Sequence, residues 1–283
     1  TPSVSLKPEG STCLFADECD TGMQCDLPYV NDGQASRNAE SSAISRRPHQ
    51  LVRRAKPAET SLVLARAPGS AVRSNRMLWS VFDELVSAMA SDAEKLLAAR
   101  RTYSQKTGTV EPDHELYAER SDAFVEWFLF ELRDEEGLTS VERRICELPS
   151  EDVHMPHLLA LRASYRSLFQ VVRQQPGGLL LDDLVGGGRF SVDERRRLPG
   201  VSAGDLFEAR LIPDPDRRPA LCFGRALQFH PREAADSVLA QIRLAKQNAE
   251  PKAELLSRLA RLRLRCFSYR HVPAARIYAP FAG

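Results

Sequence analysis

The apolar pattern of this chain changes character near residue 168, and this change constrains the fold more than any other feature of the sequence. From Met77 onward, apolar residues recur at the spacing of an amphipathic helix. Between residues 168 and 229 they form short runs separated by turns that contain glycine and proline. Helical spacing returns from about Arg232. The sequence therefore predicts an α+β fold, with a helical N-terminal half, a small antiparallel β-barrel-like module and C-terminal helices.

The same pattern divides the chain into four segments of different character. They are an extension at residues 1–76, a helical region at 77–167, a small β module at 168–229 and a C-terminal helical segment at 230–283 that packs on the rest. In the helical region, Thr139 is followed three residues later by Glu142, which is typical of a capping box at the start of a helix. A further helix is predicted over residues 155–167.

The extension at residues 1–76 lacks the periodicity of the other segments. It has a Cys-rich stretch at residues 13–25 and then a run in which arginine outnumbers the acids. Low apolar density with one-sided charge predicts that the extension is largely disordered. The abrupt onset of periodicity leads us to expect that Met77 is the native start, and that residues 1–76 come from a neighbouring reading frame or an artificial join.

Composition indicates no particular partner for this chain. Lys and Arg number 39 against 38 for Asp and Glu, which gives a net charge of +1. No apolar run approaches the roughly 18 residues that a membrane-spanning helix needs. We therefore expect a soluble chain without a membrane span and without a cofactor.

Cysteine usage differs between the extension and the rest of the chain. Residues 1–36 resemble the small Cys-rich repeats of secreted proteins, cut short before a fourth cysteine. That resemblance implies export if the extension is genuine. Cys146, Cys222 and Cys266 are far apart in sequence, which favours a reducing, cytoplasmic setting for residues 77–283.

A second resemblance covers about residues 77–280. The chain is similar there to an uncharacterised bacterial protein family, in which a helix is followed by a small β module of the form L-x-D-L, V, G-D-x-x-x-A-R-L. The matching residues are 123–130, 181–184, Val192, 204–211 and 269–278. The module resembles one found beside SEC-C zinc motifs, although this chain has no such motif. The resemblance implies the α+β arrangement and assigns no catalytic residue.

His154 and His157 are the weak candidates for a metal site. Glu151, Asp152 and Cys146 lie near them in sequence, and zinc requires three or four nitrogen, sulfur or oxygen ligands. The proline between the two histidines indicates the start of a helix. The pair therefore also fits polar residues that cap a helix, with no metal at all.

The last long helix gives the clearest functional indication. Its apolar stripe is flanked by basic residues, and the candidates for binding nucleic acid or another anion are Arg258, Arg261, Arg263, Arg265 and Arg270. A basic amphipathic helix can bind phosphate groups, or it can pack on a core and leave its basic face in water.

Three functions follow from these features. The first is non-catalytic binding with nucleic acid as the expected partner, since a β module and a basic helix occur together. The second is a protein-interaction or scaffold module that binds no nucleic acid. The third is a metal-dependent hydrolase that uses the region of His154 and His157.

Overall fold

The computed structural model describes residues 75–194, 200–217 and 219–280. The predictions for the Cys-rich stretch and for nearly all of the extension at residues 1–76 lie outside these residues. The described residues combine eight α-helices with a five-stranded sheet, which confirms the predicted α+β class. Of the helices that the structure describes, none combines the length and the apolar character that crossing a bilayer requires.

The helices flank the strands in the order that the sequence predicts. The helices are α1 (Arg76–Ala90), α2 (Ala93–Thr107), α3 (Tyr117–Phe130), α4 (Ser140–Glu147), α5 (Met155–Arg162), α6 (Ala235–Gln247), α7 (Lys252–Ser268) and α8 (Ala274–Ile277). The strands are β1 (Tyr165–Gln175), β2 (Gly178–Asp183), β3 (Arg189–Asp193), β4 (Leu206–Pro213) and β5 (Leu221–Phe229). A 3-10 turn at Arg232–Ala234 leads from β5 into α6.

The strand pairing runs all the way round the sheet. The order is β1-β2-β3-β5-β4, and β4 pairs in turn with β1. Four of these pairings are antiparallel, but β3 and β5 run parallel and meet at Val192 and Leu221. The prediction of an antiparallel module was therefore wrong at this one pairing. Five strands that pair in a ring cannot all run antiparallel to both neighbours, because an odd number of strands cannot alternate in direction around the ring.

The first strand begins earlier than the sequence predicted. Helix α5 ends at Arg162, not at residue 167, and β1 begins at Tyr165, ahead of the predicted boundary at 168. Tyr165 lies opposite Leu211 of β4, and the pairing continues along both strands. Backbone pairing with a distant strand has therefore overridden the helical spacing of the local sequence.

Three apolar clusters hold these elements together. Helices α1 to α5 pack around Phe82 and Phe124, the interior of the sheet packs around Phe169 and Phe207, and α6 to α8 pack around Tyr278. The first cluster reaches the sheet through Ile212, Cys222 and Ala226, and the third cluster reaches it through Leu168 and Leu206. The helices therefore bury the outside of the sheet on two sides.

A buried cluster of charged side chains joins α3 to the sheet. Glu126 lies in α3 and Glu131 directly follows it, while Arg166 lies in β1 and Glu208 and Arg210 in β4. Arg166 donates to Glu131 at 2.9 Å and to Glu208 at 2.7 Å, and Arg210 donates to Glu131 at 2.5 Å. Burial pushes the pKa of Glu131 upward, but the two arginines outweigh it and hold that pKa below its ordinary value.

Glu126 also fixes an irregular part of β5. The register between β4 and β5 shifts here, so that the backbone N–H groups of Arg225 and Ala226 point toward α3. Both donate to Glu126 Oε1, at 2.6 and 2.9 Å. A Cβ atom at the neighbouring Gly224 would lie 2.4 Å from the same oxygen, so only glycine leaves room for this contact.

The predicted capping box at the start of α4 is present. The Thr139 hydroxyl accepts from the Glu142 backbone N–H at 3.2 Å, and Glu142 Oε2 accepts from the Thr139 N–H at 2.8 Å.

We expect Thr139→Ala to lower the free energy of unfolding by about 1 kcal/mol, because the N–H of Glu142 loses its acceptor. Urea denaturation followed by circular dichroism measures this. Thr102→Ala, at an exposed position in the middle of α2, is the control, and an equal loss there would contradict the capping role.

Candidate binding cleft

The predicted arginines of α7 are largely bonded within the protein. Arg258 donates to Gln241 and, at 2.5 Å, to Glu250. Arg261 donates to the backbone carbonyls of Gln105 and Lys106, at 2.6 and 2.7 Å, and so ties α7 to the end of α2. These contacts hold two helices against α7.

The remaining three predicted arginines differ in their surroundings. Arg263 is only 3% exposed and donates to the carbonyl of Phe229 and to Glu119. Arg270 donates to Glu115 and is largely exposed. The side chain of Arg265 is exposed and forms no ion pair or hydrogen bond with the described residues. The structure therefore does not bring the five arginines together on one open face.

The two candidate histidines point to different neighbours. His154 Nδ1 lies 3.5 Å from Glu84 of α1, whereas His157 Nε2 lies 3.7 Å from Asp216 in the loop after β4. In the described parts of the chain, no group of three metal-ligating side chains comes together. The structure gives this pair no third ligand among those residues.

A cleft lies where the end of β5, the start of α3 and the end of α7 meet. We call it the C-terminal cleft, and its volume is about 810 Å³. Its floor and walls are mostly apolar, and they are formed by Leu116, Leu227, Phe229, Phe267, Val272 and Pro273. The fold positions these residues because α7 packs beside the sheet and the chain turns back after Ser268 into α8. A cleft of this size and lining is typical of a binding site.

Pairs of opposite charge also line the cleft. Arg232 is bonded to both carboxylate oxygens of Asp205, while Arg263 is bonded to Glu119 and Arg270 to Glu115. Glu233 is a fourth acid of the lining. The three arginines and four acids give the lining a formal charge of −1.

Two buried side chains of the cleft have polar atoms without a partner in the described structure. They are Arg263, through Nη1, and His230, through Nε2. His230 Nδ1 is 2.7 Å from the Tyr278 hydroxyl. Burial, together with the charge of Arg263, lowers the pKa of His230 to about 3, so its ring is neutral at physiological pH. Unpaired buried polar atoms cost free energy, and a ligand that supplies the missing partner would recover that cost.

Cys266 gives the cleft no nucleophile. It lies on the wall of the cleft, and burial raises the pKa of its thiol to about 11. The thiolate is the reactive form of cysteine, and it is scarce at neutral pH when the pKa is that high. The cleft is therefore suited to binding and not to covalent chemistry at this residue.

The sequence alone did not identify the C-terminal cleft. Glu115, Glu119 and His230 stand in different segments, and they meet only because α3, β5 and α7 converge. One signal was present in the sequence: Phe229, His230 and Pro231 end a predicted strand with an aromatic residue, a polar residue and a turn. Of the predicted site residues, Arg263 and Arg270 lie in the cleft lining.

Comparison with protein-family models, curated proteins and solved structures finds no match to this chain. The resemblance to an uncharacterised bacterial family therefore stays a prediction.

Proposed function

We propose that this protein is a non-catalytic binding protein, and that its C-terminal cleft receives a peptide segment of a protein partner. The observation that carries the proposal is the composition of the cleft, whose lining combines apolar side chains with arginine–carboxylate pairs. Protein interfaces have an apolar centre within a polar rim, and they are enriched in aromatic residues and arginine. Phe229, Phe267 and the three arginines match that composition.

Charge favours a peptide over a nucleic acid as the ligand. A phosphate backbone carries one negative charge per nucleotide and requires arginines or lysines that are free to neutralise it. Four of the five predicted arginines are bonded to groups of the same chain, and the cleft has more acids than arginines. We therefore place the protein-interaction module ahead of the nucleic-acid binder.

Filling the cleft is the direct test of this proposal. Random heptapeptides displayed with free C termini would be selected on the full chain, and the selected peptide would be titrated by calorimetry. We expect Val272→Trp, which places an indole in the cleft, to weaken binding at least tenfold. Val153→Trp is the matched control, because Val153 is 65% exposed and lies outside the cleft.

Two outcomes would overturn the proposal. One is that no heptapeptide is enriched, and the other is that both tryptophan variants bind the selected peptide as the parent does. A titration with single-stranded oligonucleotides at several salt concentrations completes the comparison. A salt-dependent affinity that falls with Arg258→Ala, Arg261→Ala and Arg265→Ala would restore nucleic acid as the partner.

A further inference from the structure

We propose that the C-terminal cleft recognises the free C-terminal carboxylate of its peptide, with Arg270 as the residue that binds that carboxylate; this inference rests on the peptide-binding function proposed above. Some hydrogen-bond donors of the cleft have no acceptor in its internal contacts. Those donors favour a ligand that carries an acceptor, and the apolar floor favours a ligand with an apolar body.

Arg270 has both the exposure and the donors for this role. Its side chain is 70% exposed, and one terminal nitrogen, Nη2, donates to Glu115. A guanidinium has five N–H groups, and each terminal nitrogen has two of them. One bond to Glu115 therefore leaves a complete two-donor edge, which is the edge that binds a carboxylate in bidentate fashion.

Glu115 holds that guanidinium at the cleft. Glu115 precedes α3, whereas Arg270 follows α7, so their ion pair joins two segments that line the cleft. A positioned arginine loses less side-chain entropy when a ligand binds than a free one does. The ion pair is exposed and contributes little to folding stability by itself.

A second arginine of the cleft lining also has a donor without a partner in the described structure. Arg263 is only 3% exposed, and its Nη1 has no acceptor among the described residues. The Phe267 ring lies 5.2 Å from the guanidinium carbon of Arg263 and forms part of the cleft wall. A ligand oxygen that reaches Nη1 would satisfy this donor, so this part of the site also favours an acceptor.

The charge of the lining limits the ligand to few negative charges. The formal charge of −1 opposes a polyanion, while one carboxylate can still bind through the free edge of Arg270. Glu233 is exposed at the lining and would favour a basic side chain elsewhere in the peptide. The ligand we infer is thus an apolar peptide end with one carboxylate and, further from it, a lysine or arginine.

The test compares one selected peptide in two chemical forms. The heptapeptide selected above would be synthesised with a free C terminus and with a C-terminal amide, and both would be titrated into the full chain by calorimetry. We expect the amide to bind at least tenfold more weakly, since it lacks the charge and one acceptor oxygen. Sodium octanoate is a third probe, which presents a carboxylate and an apolar chain without a peptide.

Arginine substitutions assign the effect to one residue. Arg270→Gln is expected to weaken the free-acid peptide about tenfold and to leave the amide unchanged, so that the two forms bind alike. Arg265→Gln is the matched control, because Arg265 is exposed on the same helix end and does not line the cleft. A structural role of Arg270 would weaken both peptide forms equally.

Each result distinguishes this inference from the function on which it rests. Equal affinity for acid and amide, with Val272→Trp still blocking both, would overturn carboxylate recognition and leave peptide binding in place. Failure of every peptide would overturn both proposals. Octanoate binding as tightly as the peptide acid would identify a free carboxylic acid, and not a peptide end, as the ligand.

Discussion

Replacing Glu126 with alanine is expected to lower the free energy of unfolding by about 3–5 kcal/mol. Glu126 is 3% exposed and lies beside Arg210, whose Nε is 3.5 Å from Glu126 Oε2. The alanine variant would leave the backbone N–H groups of Arg225 and Ala226 buried without an acceptor. Burial raises the pKa of Glu126, whereas Arg210 and the two N–H groups oppose that rise.

Two further variants separate the causes of this loss. Glu126→Gln keeps the carbonyl oxygen that accepts from both N–H groups but removes the charge, so we expect a loss of about 1–2 kcal/mol. Glu135→Ala removes an exposed glutamate near the end of α3 and should stay within about 0.5 kcal/mol of the parent. Guanidinium denaturation monitored by tryptophan fluorescence measures all three. A loss below about 1 kcal/mol for Glu126→Ala would contradict its role in joining α3 to the sheet.

Acidification is expected to destabilise the fold through His230 before most carboxylates titrate. The pKa of His230 falls from an ordinary 6.5 to about 3 in the folded protein, because its ring is buried and lies near Arg263. Below an unfolded pKa of 6.5, the unfolded chain binds a proton that the folded chain does not bind, so stability decreases as pH falls from about 6.5 toward 3. Between about pH 7 and pH 5 this single group accounts for a loss of about 2 kcal/mol.

The control variant for this pH dependence keeps the contact that the His230 ring makes with Tyr278. His230→Asn retains a polar atom near the position of Nδ1, where it can still meet the Tyr278 hydroxyl. Urea midpoints measured from pH 7 to pH 5 should fall less steeply in the variant than in the parent, by the amount assigned to His230. Parallel slopes for the two proteins would show that this histidine is not buried in its neutral form.

Local sequence signals predicted those elements whose stability depends on near neighbours in the chain. The capping box at Thr139 and Glu142 is one, since both of its hydrogen bonds lie within a single turn. A contact of the same local kind stands at the start of α2, where the Asp92 side chain accepts from the backbone N–H of Lys95. Such contacts require no information about the rest of the fold.

The contacts of the candidate arginines could not be predicted from the sequence, for the opposite reason. A basic stripe on α7 has the same sequence whether its arginines face water or bind to other elements. Arg261 bonds to the end of α2 and Arg263 to β5 and α3, and these partners lie far away along the chain. The sequence gives the positions of the arginines along the chain, but only the packing of the helices and strands determines which groups they contact.

The sequence by itself determined the α+β class, the order of helices and strands, and the start of α4, because apolar periodicity and capping are properties of adjacent residues. The tertiary structure alone decided where β1 begins, why β3 and β5 run parallel, which acids neutralise which arginines, and where the C-terminal cleft lies. The physical reason is that each of these depends on contacts between residues distant in the chain. Their free energies arise when the elements pack, and the local sequence does not encode them in any readable pattern.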